Sequence, residues 1–123
     1  MPKIIFMPHA NIQYSQLPPE KRAWVCENCY RPLFELVRDN DCKIAFEASG
    51  RTLEVLHDEA PEVLALLRSL IAEGRIEPIG SPFIHVMLTN IPPEVGLDTL
   101  KHGLDAWEKY TGVRPATGWN PEC

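Results

Sequence analysis

The chain has 123 residues, 45% of them hydrophobic and 24% charged, which suits one small globular core and leaves no room for two ordinary domains. Twelve Lys and Arg against seventeen Asp and Glu give a formal charge of −5 with no basic run, so a nucleic-acid partner is not expected. No apolar stretch approaches the roughly eighteen residues that span a bilayer, and the first ten residues are too short of apolar length for a signal-peptide core, so the expectation is a cytoplasmic protein with no membrane partner.

Short apolar or β-branched runs alternate with longer helical patterns from end to end, as βα units around a parallel sheet do. Residues 3–7 (KIIFM) predict a strand closed by Pro8 and followed by a polar stretch. Pro18 and Pro19 open a helix expected over 20–30 and continued by Leu33, Phe34 and Val37, with Pro32 expected to kink it. Residues 43–47 (KIAFE) predict the second strand, closed by Ser49 and Gly50, and 51–57 read as a short helical turn. A helix capped by Asp58 then carries Val63, Leu64, Leu67 and Leu70, with Pro61 just inside it and Gly74 at its end.

Residues 75–79 (RIEPI) predict strand three, where Pro78 marks an irregular end. The loop over 81–93 is long enough to signal function or disorder in a compact domain. Leu97, Leu100, Leu104 and Trp107 predict a last helix ended by Gly112, and 114–120 a fourth strand. Trp24 and Trp107 fall on apolar helix stripes and are expected in the core, whereas His57 and His102 are expected at the surface.

The cysteines are Cys26, Cys29, Cys42 and Cys123, expected as reduced thiols. A redox C-x-x-C sits where a strand feeds a helix, but Cys26 and Cys29 already lie inside a helical pattern. A zinc site would need a second C-x-x-C or an H-x3–5-H, and neither follows. There is no H-x-x-x-H and no acidic pair after strand one, and Asp39 and Asp41 stand at the wrong end of strand two. No metal and no other cofactor is expected.

Ligand groups of parallel sheets gather at the carboxyl ends of the strands. Here those ends carry His9, Asn11 and Gln13, then Ser49, then Glu77 and His85, then Trp119 and Glu122. Carboxylates, amides, histidines and an indole suit a sugar, whose hydroxyls want polar partners and whose apolar face stacks on an aromatic ring. Retaining glycoside hydrolysis needs two carboxyl groups about 5–5.5 Å apart, and Glu122 is a candidate for one of them.

Three spaced motifs make the chain resemble glycoside hydrolase family 57. They are Phe6-Met7-Pro8-His9-Ala10-Asn11-Ile12-Gln13, then Gly74-Arg75-Ile76-Glu77 running on to His85, then Gly118-Trp119-Asn120-Pro121-Glu122. The resemblance implies an α/β fold in which parallel βα units form the first half of an incomplete (β/α)7 TIM-like barrel. It makes residues 1–123 a single unit, the N-terminal fragment of a larger hydrolase barrel. It implies a retaining hydrolase or glucanotransferase acting on α-glucans, with Glu122 as nucleophile and the acid/base outside these residues. His9, Asn11, Gln13, Glu77, His85 and Trp119 would line the substrate site, and Asn11 stands where the family pattern has a second histidine. The expected partners are an oligosaccharide or polysaccharide, with the remainder of the barrel or a second copy of the chain completing the sheet. A second reading keeps the cleft without catalysis, as a carbohydrate-binding or assembly module.

Overall fold

The computed structural model describes residues 3–13 and 16–121. Four strands form one sheet: β1 (His9–Ala10), β2 (Ile44–Ala48), β3 (Ile76–Gly80) and β4 (Thr117–Gly118), in the order β1-β2-β3-β4. Every pairing is parallel. Parallel neighbours cannot be joined by a hairpin, so each crossing needs a longer, helical connection. From β1 to β2 the chain runs through a 3-10 turn (Pro19–Lys21), α1 (Arg22–Val25), a π turn (Cys26–Tyr30) and α2 (Arg31–Asp39). Two helices, α3 (Gly50–Glu59) and α4 (Pro61–Ala72), lead to β3, and α5 (Pro93–Thr111) leads to β4.

Register decides which side chains share a face, because paired residues lie side by side and side chains alternate with a period of two. His9 pairs with Glu47, Glu47 with Ile79, and Ala45 with Glu77, so all of these share one face. Ile44, Phe46 and Ala48 take the opposite face and are buried beneath the helices. Phe46 meets Phe34 of α2 edge-on, with ring centroids 5.0 Å apart. Trp107 of α5 is fully buried, and its indole N–H donates to the Ala48 carbonyl at 3.1 Å, which ties α5 to the chain one residue past Glu47.

Several boundaries differ from the sequence expectation, each for a local reason. The first strand is His9–Ala10 and not residues 3–7. Residues 6–8 still run beside β2, since the Phe6 and Pro8 carbonyls accept from the Ala45 and Glu47 amides. The return bond of a parallel ladder, from residue 8 to the Ala45 carbonyl, is missing because proline has no N–H. The expected kink near Pro32 takes the form of the π turn: the Arg31 N–H reaches back five residues to the Cys26 carbonyl, ahead of a proline that cannot donate. The short turn expected over 51–57 is the ten-residue α3. Asp58 lies inside α3, and Ala60, with no side-chain bond, precedes α4. Trp24 is 58% exposed and stands outside the core, although Phe34 and Val37 further along the same helical run are fully buried in it.

Candidate functional site

The site is assembled at the carboxyl ends of β1, β2 and β3. The exit from β1 is held by one buried hydroxyl. Thr52 Oγ1 donates to the Ala10 carbonyl at 3.1 Å and accepts from the Ile12 amide at 3.3 Å, clamping the backbone on both sides of Asn11. Ser49 Oγ lies 2.9 Å from Thr52 Oγ1 and accepts from the Thr52 amide at 3.2 Å. Since the Thr52 proton is committed to Ala10, Ser49 donates to Thr52, and every member of this buried network is satisfied. Ser49 is thus the cap of α3, which explains its position at a strand end without a ligand.

The loop after β3 is held as firmly. The Arg51 amide donates to the Phe83 carbonyl and the Phe83 amide to the Thr99 carbonyl, both at 2.8 Å. Residues 81–83 thereby lie between the N-terminus of α3 and the middle of α5. Gly103 permits this approach, because a Cβ there would stand 2.0 Å from the Ser81 carbonyl oxygen. Two residues on, His85 projects to the site with its side chain 7% exposed.

Between the two histidines lies Glu47, whose side chain is fully buried. His9 Nδ1 is 3.2 Å from one carboxylate oxygen and His85 Nε2 is 2.9 Å from the other. An ionised carboxylate only accepts, so wherever Glu47 is charged each of these nitrogens donates to it. Burying such a group costs several kcal/mol unless donors surround it, and the two imidazoles are those donors. Among the described residues no Lys or Arg pairs with Glu47. The rings stack at 5.2 Å between centroids and 13° between planes, and the Trp119 indole packs 5.1 Å from His9. Trp119 is fixed in turn by its backbone amide, which donates to the Gly80 carbonyl at 2.8 Å. His9, Asn11, Tyr30, His85, Met87 and Trp119 line an open cavity of about 760 Å³. Burial holds the Tyr30 hydroxyl above the usual tyrosine range, so it enters as a neutral phenol.

Of the residues singled out in the sequence, His9, Asn11, His85 and Trp119 come together around this cavity. Gln13 is exposed and does not line it; its backbone N–H donates to Asn11 Oδ1 at 3.2 Å. Glu77 shares the face of Glu47 but is exposed near the opposite end of β3, and it does not line the cavity either. Glu122 lies outside the described residues. Glu47 and Tyr30 are the residues that sequence reasoning missed. For Glu47 a signal was present: a lone acid among apolar neighbours near the end of a strand (IAFEA).

Cys26 is fully buried and its thiol is pushed up to about 12, first by burial and then by Glu59 and Glu27, whereas Cys29 is exposed. The thiolate is the reactive form, so at pH 8 iodoacetamide should label Cys29 in the native protein and reach Cys26 only in denaturant. Mass mapping of the labelled peptides checks this; native labelling of Cys26 at the rate of Cys29 would contradict it.

The model of glycosyl hydrolase family 57 matches residues 3–123. The α-amylase of Pyrococcus furiosus is 32% identical over 97 residues, which are 78% of this chain and 15% of that protein. The 4-α-glucanotransferase of Thermococcus litoralis superposes with a TM-score of 0.75 at 29% identity, covering 96% of this chain and 20% of that one. A family 57 branching enzyme of Thermococcus kodakaraensis, solved in complex with glucose, has the same fold, with a TM-score of 0.73, 19% identity, and coverage of 97% and 32%. The chain therefore spans about a sixth of the length of the curated relatives it matches.

Proposed function

The chain belongs to glycosyl hydrolase family 57, and from that premise we propose that its cavity is part of the sugar site of a retaining hydrolase or glucanotransferase acting on α-glucans. The structural neighbours are (β/α)7 barrels, and the four parallel strands with their three helical crossovers correspond to part of one. The observation that carries the functional reading is the convergence of His9, Asn11, His85 and Trp119 on one open cavity at the strand ends. An indole offers a stacking face for a pyranose ring, and the imidazoles and the amide offer directed partners for its hydroxyls. Glu47 engages one nitrogen of each histidine and leaves Nε2 of His9 and Nδ1 of His85 for the sugar.

In this proposal Glu122 is the carboxylate nucleophile. It attacks the anomeric carbon as the glycosidic oxygen leaves, and a carboxylic acid from outside these residues protonates that oxygen. Water, or the hydroxyl of a second glucan, then breaks the glycosyl-enzyme ester and gives a proton to the same group. The test is to add maltooligosaccharides to the intact protein, following tryptophan fluorescence for binding and reducing-end release or chain-length redistribution for turnover. Both signals are expected. Binding with no turnover would replace the enzyme reading by the carbohydrate-binding module; no binding would remove both.

A further inference from the structure

We propose that Glu47, His9 and His85 form a binding site for one divalent transition-type cation such as zinc. The donor atoms come from three adjacent strand ends: one carboxylate oxygen and two imidazole nitrogens, all within 4.8 Å of one another. Two imidazoles and a carboxylate are a donor set that zinc accepts with a fourth position left open. The spacing fits. Zinc bonds of about 2.0–2.1 Å in a tetrahedral arrangement put neighbouring ligand atoms roughly 3.3 Å apart. The 2.9 and 3.2 Å nitrogen–oxygen separations run to different oxygens of Glu47, and one carboxylate oxygen lies within 4.8 Å of both nitrogens, so the ion needs the longer separations to close to the tetrahedral spacing.

Charge argues the same way. With both rings uncharged, the cluster holds one negative charge in the interior with no Lys or Arg against it among the described residues. A divalent ion supplies the missing positive charge directly. The two nitrogens facing Glu47 mark where it enters: in each ring the proton passes through solvent to the other nitrogen, Nε2 of His9 and Nδ1 of His85, so that both imidazoles stay neutral and the vacated lone pairs with the Glu47 carboxylate hold the ion. The scaffold is already rigid, since Thr52 clamps the exit of β1 and Thr99 and Arg51 hold the backbone ahead of His85. The cavity side stays open, so the remaining position would take water or a hydroxyl of a bound ligand.

The inference is independent of the sugar reading and is tested with the metal alone. The intact protein with Cys29 replaced by serine is stripped with chelator and titrated with Co²⁺, then with Zn²⁺. One Co²⁺ per chain should bind with the strong visible absorption of a four- or five-coordinate ion and no thiolate charge-transfer band, and Zn²⁺ should displace it. His9→Ala and Glu47→Gln should each weaken binding by more than the roughly 10–100-fold that removal of a merely orienting partner costs. His9 is 49% exposed, so its variant is expected to fold, with circular dichroism as the check, even if substitution at the buried Glu47 does not. The spectrum of free aqueous Co²⁺, a thiolate band, or unchanged affinity in His9→Ala would each overturn the proposal.

Discussion

Replacing Glu122 with glutamine in the intact protein is expected to lower turnover on maltooligosaccharides by roughly 10⁴-fold or more, the scale on which loss of a covalent nucleophile acts. The amide keeps the size of the carboxylate and one acceptor oxygen, but not the charge that attacks the anomeric carbon. Sugar binding should change little, because the groups proposed to hold the ring are elsewhere. Trp119 is anchored to the Gly80 carbonyl, and His9 and His85 are fixed by Glu47. Initial rates and a fluorescence titration on the same preparation separate the two effects. A residual rate within about tenfold of the parent would remove the nucleophile assignment, since so small a loss is that of an assisting group.

The order of elements was legible because it rests on period and punctuation. Gly74 and Gly112 both adopt positive φ, 68° and 80°, at the ends of α4 and α5, where the sequence marks a stop. Pro61 and the leucines after it mark α4 as plainly. What the sequence misplaced was decided by partners distant along the chain. Residues 3–7 read as a strand from their apolar side chains, yet the regular ladder begins only past Pro8, and Ile4 and Ile5 are 90% and 83% exposed. Trp24 is 58% exposed while Phe34 and Val37 of the same helical run are buried, and Trp107, read the same way as Trp24, is fully buried.

The site was half legible for a related reason. His9, Asn11, His85 and Trp119 follow the strand ends in sequence, so the rule that ligands gather there finds them. Glu47 lies inside a strand, and its role depends on register: only the pairing of His9 with Glu47 sets the carboxylate beside the imidazole. His85 reaches the same carboxylate from 38 residues away, through a loop whose path is set by α3 and α5. Ser49 shows the converse, a polar residue at a strand end that caps a helix instead of facing the cavity.

That dependence of the site on helix packing makes a second large effect testable on two glycines of α5. Gly→Ala in a helix interior gains about 1 kcal/mol of helix propensity wherever the new methyl group finds room. At Gly96 it does: a Cβ would meet Leu88 and Ile91 side-chain atoms at 3.6 Å or more, an ordinary contact. Gly96→Ala is therefore expected to stabilise the protein by up to about 1 kcal/mol. At Gly103 the Cβ would stand 2.0 Å from the Ser81 oxygen, 2.8 Å from the Pro82 carbonyl carbon and 2.9 Å from the Phe83 nitrogen, all backbone atoms that cannot rotate aside. Overpacking costs about 1–3 kcal/mol and more where backbone must move, so at this backbone clash the cost lies at or above the upper end and leaves a net loss of roughly 2 kcal/mol or more. The loss should reach the site as well. Relief of the clash displaces residues 81–83, whose bonds to Thr99 and Arg51 hold the backbone that carries His85 to Glu47. Urea unfolding of the two variants should move the midpoint in opposite directions, and Gly103→Ala alone should weaken oligosaccharide binding; a Gly103→Ala protein as stable as the parent would show that α5 can back away from the loop without cost.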